Sequence, residues 1–280
     1  MAQKTSDRIS ASFSLLGKTL KSLCKVVVSS RKTSLHPLVP TPVAPIYILG
    51  NGPSLRKVLE NDSDRLASSD CMAVNFFANS PEFKAIKPKY YILIDPHFFN
   101  SAADEAVRRL WQNLAEADWD MTLILPSGQR PMQSCQHIKV MTVNAIGLEG
   151  FDWFTNFAYN RRLGMPRPRN VLIPAIMAAI WLGYKTLYIL GADHSWTEKL
   201  RVDNDNTLIS VQPHFYAEPD SEKGRVSAVY KDIKIHTILE SFAVAFRAYH
   251  DIQRWAASHD VEIFNATPGS YIDAFPRKTL

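Results

Sequence analysis

Cysteine is scarce in this chain, with only Cys24, Cys71 and Cys135 among 280 residues. An odd number of widely spaced cysteines, none in a C-x-x-C pattern, argues against a disulfide framework or a thiolate zinc site and fits a reducing compartment. Long apolar runs are absent too, because no uninterrupted stretch approaches the roughly 20 residues needed to span a bilayer. There is no internal repeat, no G-x-G-x-x-G fingerprint and no P-loop ending in Lys-Ser/Thr, so neither dinucleotide nor P-loop chemistry is implied. Positive charge is missing from most of the chain. The total is +5, yet residues 1–45 hold seven basic residues and one acid, Asp7, so this segment carries +6 and the other 235 residues carry −1. A generally basic nucleic-acid-binding body is thereby excluded, and no nucleic-acid partner is expected.

What is present suits a globular protein of one or two domains: 46% apolar residues, 11% aromatic and 21% charged. The most informative stretch is IYILGNGPSL, residues 46–55. Ile46, Tyr47, Ile48 and Leu49 read as a short buried strand. Gly50 and Gly52 offer backbone freedom and close approach, Asn51 tolerates the left-handed region, and Pro53 stiffens the exit. Ser54 is placed to N-cap a helix through Leu55, Val58 and Leu59, with its positive end facing the loop, where an anion is favoured. A plain strand-to-helix turn is the competing reading.

The amino-terminal segment has its own pattern. Ile9, Phe13, Leu16, Leu20, Leu23 and Val27 fall on one helical face, with Lys18, Lys21 and Lys25 roughly opposite. Over residues 9–28 such a helix suits an anionic membrane surface, with lysines at the headgroups. Docking on its own domain or on another subunit, as in a homo-oligomer, is the alternative. The apolar residues do not form the continuous core of a signal peptide. Residues 32–45, with four prolines, read as a linker, so the division is 1–45 for helix and linker and 46–280 for a single domain.

Beyond residue 46 strand-like and helix-like segments alternate. Strands are expected at 71–76, 90–94, 121–125, 139–143, 186–190 and 261–264, and helices from Ser101 to Ala117, from Asn170 to Leu182 and over 228–258. The expected fold is α/β, a Rossmann-like, mostly parallel sheet flanked by helices. A polar, lid-like insertion is expected near 194–226.

Chemistry-bearing residues fall just after these strands: Asn51, Asn75, Asp95 with His97, Asp193 with His194, and Asn265. In a parallel sheet those carboxyl ends share one rim, where ligands of open α/β sheets bind. Asn75 suits a base or ribose. Asp95 suits a ribose hydroxyl or, with Asp193, a divalent metal, against the alternative of an Asx turn. Asp193, His194 and Ser195 are the three residue types of a hydrolase triad, but consecutive residues cannot form the relay. His194 or His214 is a candidate general base on an acceptor hydroxyl, and Tyr216 and Arg201 are candidate phosphate or acceptor contacts.

The runs ILGNGPSL, DCMAVNFFAN, KPKYYILIDPHFF, LGYKTLYILGADHSW and VEIFNATPGSYIDAF resemble the MptE-like domain family over roughly residues 45–276. They resemble more distantly the small bacterial sialyltransferases that modify lipooligosaccharide. The sialyltransferase likeness implies a cytidine-nucleotide site at Asn51, Gly52 and Ser54, with Asn75 beside it. Asp95 stands where those enzymes carry an asparagine before proline. Their catalytic histidine has no direct counterpart, Ala243 falling near its place, with His214 or His236 as substitutes in space. The MptE-like likeness implies one of two activities. One is bacterial surface-glycan assembly with a nucleotide-activated sugar, such as a CMP-linked acidic sugar, and a glycan or glycolipid acceptor. The other is an ATP- and magnesium-dependent 6-hydroxymethylpterin diphosphokinase. The missing histidine suggests a third reading, a non-catalytic nucleotide-binding protein. No tightly bound cofactor is expected, magnesium stays open, and the implied location is cytoplasmic or peripheral on the inner face of the cytoplasmic membrane.

Overall fold

The computed structural model describes residues 2–134, 136–198, 200–209, 215 and 233–280. A seven-stranded, fully parallel sheet forms its centre, in the order β5-β4-β3-β2-β1-β6-β9. The strands are β1 (Ile46–Leu49), β2 (Asp70–Val74), β3 (Tyr90–Ile92), β4 (Met121–Pro126), β5 (Ile138–Val143), β6 (Thr186–Leu190) and β9 (Glu262–Asn265). Two further short strands, β7 (Arg201–Val202) and β8 (Leu208–Ile209), pair as an antiparallel hairpin in the polar insertion.

Alternation along each strand sorts the side chains into two cores. Ile46, Ile48, Met72, Val74, Tyr90, Ile92 and Ile124 face one side. There they meet α6 (Asp152–Asn160), α7 (Leu172–Leu182) and α8 (Ile235–Ala257). Tyr47, Leu49, Cys71, Ala73, Tyr91, Leu123 and Leu125 face the other. That side is covered by α2 (Leu55–Ala67), α3 (Glu82–Ile86) and α5 (Glu105–Ala115), with the one-turn α4 (His97–Asn100) at the rim. Helix α7 is buried along its whole length, which is why its sequence is apolar on every side.

The strand order reverses beside β1. From β1 the chain steps outward through β2, β3, β4 and β5, then returns to lay β6 and β9 on the other side. The chain therefore leaves β1 and β6 toward opposite faces of the sheet, and the carboxyl edge at this reversal is where ligands of open α/β sheets bind.

The expected sheet matches the observed one closely, with local differences. β2 stops at Val74, because Asn75 takes a left-handed φ of 48° and residues Asn75–Asn79 wind into a 3-10 turn. Asn170 caps α7 as expected in kind, its Oδ1 accepting the Leu172 N–H at 2.9 Å. Ser54 does not cap α2; it is itself helical, and its side chain makes no capping bond. The long carboxyl-proximal helix is described from residue 235, and 228–232 lie outside the described residues.

Helix α1 (Ala2–Ser29) and the proline-rich segment pack on the sheet domain. The Ser34 N–H and hydroxyl meet the Thr142 hydroxyl, the Thr142 N–H donates to the Ser34 hydroxyl, and the Leu35 N–H donates to the Thr142 carbonyl. The linker thus covers the outer edge of β5, which would otherwise present open backbone groups. Asn144, buried just past β5, accepts the Arg31 N–H and donates to the Ser30 hydroxyl and the Arg31 and Arg162 carbonyls.

Candidate functional site

The loop after β1 is fastened to the loop after β6. The Gly50 N–H donates to the Leu190 carbonyl at 2.7 Å and the Gly52 N–H to the Gly191 carbonyl at 2.8 Å. A Cβ on Gly52 would lie 2.0 Å from Asp193 Oδ2. A Cβ on Gly50 would lie 2.5 Å from the Gly191 carbonyl oxygen. Positive φ falls on Gly191, at 61°, and on neither Gly50 nor Gly52. The two glycines of the GNG turn therefore serve close backbone packing, not the unusual backbone angles expected of them.

Asn51 sits at the turn and donates from Nδ2 to the Val74 carbonyl at 3.1 Å, which ties β1 to β2. Its own carbonyl accepts the N–H of buried Phe215 at 3.0 Å, so Phe215 is pinned on this loop. Arg56 also hydrogen-bonds the Phe215 carbonyl.

The anion expected at the start of α2 is supplied by the chain. Asp193 accepts the Ser54 hydroxyl on Oδ2 at 2.8 Å and the Ser54 N–H on Oδ1 at 3.3 Å. A carboxylate is favoured there by the helix dipole. Burial nevertheless raises the Asp193 pKa, and the bonds from Ser54 only partly offset that. Ser54, expected at a phosphate, is occupied by Asp193.

Around this junction lies a cavity of about 460 Å³. From β1 it is lined by Gly50, Asn51, Gly52 and Pro53, from β2 by Val74 and Asn75, and from β3 by Ile94, Asp95 and Pro96. The loop into α7 contributes Pro168 through Leu172, and the loop after β6 contributes Gly191, Asp193, His194, Ser195 and Trp196. The rim expected from the sequence is thus assembled, with Asn51, Asn75, Asp95, Asp193 and His194 on one cavity. Asn75 Oδ1 is buried there and has no hydrogen-bond partner among the described residues. Asp95 is exposed and forms an Asx turn, its Oδ1 accepting the His97 N–H at 2.9 Å. His97 itself is held between Ser101 and Asp104, away from the cavity lining.

Other expected residues fall elsewhere. Asn265 is buried and structural, donating to Ser270 and Ile272 and accepting from Thr267. Arg201 is exposed on β7 and does not line the cavity. His214 and Tyr216 lie outside the described residues. Asp95 accepts the His97 N–H, and Asp193 accepts the Ser54 hydroxyl and N–H, so both carboxylates carry hydrogen bonds from the protein. Among the described residues no group of three or more His, Cys, Asp or Glu side chains is placed to hold a metal ion.

His194 has the most specific setting. At φ 52° its backbone is left-handed, which turns the ring toward α8. Its Nε2 lies 2.7 Å from the Tyr249 hydroxyl, which donates to Asn170 Oδ1 at 2.9 Å. The hydroxyl has one proton, so His194 donates through Nε2 and keeps its lone pair on Nδ1. The ring stacks on Trp196 at 4.0 Å, with Phe246 at its edge, and burial drives its pKa down to about 3. A neutral imidazole, its orientation fixed by Tyr249 and Trp196, therefore borders the cavity at ordinary pH.

The sequence reading missed Arg169, the one Arg or Lys among the described residues lining the cavity, and the Tyr249–Asn170 relay. The signal for Arg169 was the run RPRN immediately before the apolar α7. Tyr249, 55 residues from His194, had none.

No family model matches the chain, and no curated protein matches it. Among solved structures the chain is similar to the MAf glycosyltransferase from Magnetospirillum magneticum AMB-1, with a TM-score of 0.52 at 15% identity. The match covers 94% of this chain and 38% of that one, so this chain spans well under half the length of that enzyme. At that identity the likeness shows a shared α/β, Rossmann-like fold.

Proposed function

We propose that this protein is a glycosyltransferase-like enzyme of bacterial surface-glycan assembly that takes a nucleotide-activated sugar in the cavity beside β1. The observation that carries the reading is the cavity itself: it lies at the strand-order reversal, where open α/β sheets bind nucleotides, and its volume suits a small ligand. A glycosyltransferase with the same fold supports the reaction class. Asn75 Oδ1 lacks a donor among the described residues, and a ribose hydroxyl or base amino group would satisfy it. With the start of α2 taken by Asp193, the positive ground left for a phosphate is Arg169 at the start of α7.

In this reading the acceptor oxygen forms a bond to the anomeric carbon as the bond from that carbon to the phosphate oxygen breaks. The electron pair leaves with the phosphate, facing Arg169, and the acceptor proton passes to His194 Nδ1. A CMP-linked acidic sugar is the proposed donor, on the strength of the sialyltransferase resemblance around GNGPS. The negative charge of an anionic donor would act on the His194 pKa in the direction opposite to burial, favouring proton uptake when the site is loaded.

Thermal-shift measurements with CMP, CDP, UDP, GDP and ATP, each with and without magnesium, test the reading. A nucleotide at a hundredfold excess over its Kd stabilises by about 2.7 kcal/mol, which raises the melting temperature by roughly 5–10 °C. CMP or CDP should produce that shift without magnesium, and Arg169→Ala should diminish it. If no nucleotide moves the transition the reading fails. If ATP alone does so, only with magnesium, the diphosphokinase reading replaces it.

A further inference from the structure

Helix α1 is mounted with its faces opposite to the ordinary sense. Thr19 and Ser22 are buried against residues 149–151, where the Thr19 hydroxyl accepts the Phe151 N–H and Ser22 exchanges bonds with the Glu149 backbone. Gly150 approaches so closely that a Cβ there would lie 2.2 Å from the Thr19 hydroxyl oxygen. Lys25 donates to the Gly147 carbonyl at 3.0 Å, and Lys18 pairs with Glu149. The polar stripe faces the protein. The apolar stripe, Phe13, Leu16, Leu20, Leu23 and Val27, is left in solvent, with Phe13 at 69% and Val27 at 77% exposure. Two of the three lysines expected at lipid headgroups are thus spent on the domain, and Lys21 remains exposed.

A second pair of exposed apolar side chains lies on α6. Helix α6 begins beside Thr19 and carries Trp153 and Phe157, four residues apart on one face and 69% and 53% exposed. Arg161 lies over the Phe157 ring at 5.6 Å.

We infer that α1 and the outer face of α6 form a membrane-docking surface that seats on an anionic bilayer. Charge complementarity selects this occupant. The first 45 residues carry +6, and Lys21, Arg31, Lys32 and Arg161 are all exposed. A second copy would bring two such segments together, like charge on like charge. With Ile9 the stripe runs over residues 9–27, less than three heptads, which is short for a coiled-coil seam. An interfacial helix has no such length requirement, and Trp and Phe are side chains that settle at the headgroup boundary. Through Lys25, Gly147 and Arg167, which packs on Gly147, this surface adjoins the loop that carries Arg169 to the cavity. The inference holds whatever nucleotide the cavity takes.

Flotation of the full chain with vesicles of phosphatidylcholine alone, or mixed with phosphatidylglycerol, tests it. Binding is expected to the mixed vesicles, weakening as salt rises. Leu20→Glu with Leu23→Glu should reduce it by roughly tenfold or more, and Trp153→Ala by a smaller factor. Both sites are exposed, so melting temperature should stay near that of the parent. Absence of binding, equal binding to neutral vesicles, or undiminished binding by the double variant overturns the proposal. So does a dimer, seen by sedimentation, that the double variant dissociates without any vesicle binding by the parent.

Discussion

Gly50→Ala is expected to lower the melting temperature by roughly 6–12 °C, from a loss of about 3 kcal/mol or more, and to abolish any nucleotide-induced shift. The added methyl would meet the Gly191 carbonyl oxygen at 2.5 Å and the Leu190 carbonyl oxygen at 3.0 Å. Both are backbone atoms of a buried parallel pair, so neither can swing aside as a long side chain would. The only relief is to separate the β1 loop from the β6 loop, which breaks the bonds from Gly50 to Leu190 and from Gly52 to Gly191 and opens the cavity floor. Gly17→Ala provides the contrast. That glycine lies within exposed α1 with nothing within 4 Å of a Cβ, so the exchange should stabilise the helix by about 0.5–1 kcal/mol. Differential scanning calorimetry of the two variants separates a glycine required by packing from one that is merely tolerated. If Gly50→Ala melts with the parent and still responds to nucleotide, the loop-to-loop contact does not build the site.

The sheet was legible because its signal is local. Runs such as Ile46–Leu49 and Thr186–Leu190 are short, apolar and bounded by glycine, and a strand buried on both faces needs no more than that. The rim followed from the parallel order, which places Asn51, Asn75, Asp95 and Asp193 at the same edge. What the sequence concealed depends on partners far along the chain. Ser54 reads as a helix cap, but Asp193, 139 residues away, takes both its hydroxyl and its N–H. Arg169 and Arg201 are equivalent as text, and only the packing of the loop before α7 brings the first to the cavity and leaves the second on an exposed hairpin. Helix α1 shows why periodicity alone cannot orient a helix. Its apolar stripe is plain in the sequence, yet backbone groups of residues 147–151 were best satisfied by Thr19, Ser22 and Lys25, so the polar stripe turned inward.

His194→Gln is expected to lower the transfer rate by about 10²–10⁴-fold while leaving the nucleotide-induced melting shift in place. Glutamine can still donate to the Tyr249 hydroxyl, so the bond toward Asn170 has a partner, but it has no nitrogen able to take the acceptor proton. The same variant should change the acid response of the fold, and the sign is fixed by the direction of the shift. Unfolded, the imidazole binds a proton near its ordinary value of 6.5; folded, it does so only near pH 3. Between those values the unfolded chain holds the extra proton, so stability is full above pH 6.5 and declines as pH falls toward 3. The decline attributable to this one ring is roughly 5 kcal/mol at most. Urea melts of parent and variant from pH 7 to pH 4 should therefore converge as the pH drops, the variant losing less. Parallel curves would mean that His194 is not the buried neutral ring described. A full transfer rate in the variant would move the base elsewhere, with His214, outside the described residues, the next to substitute.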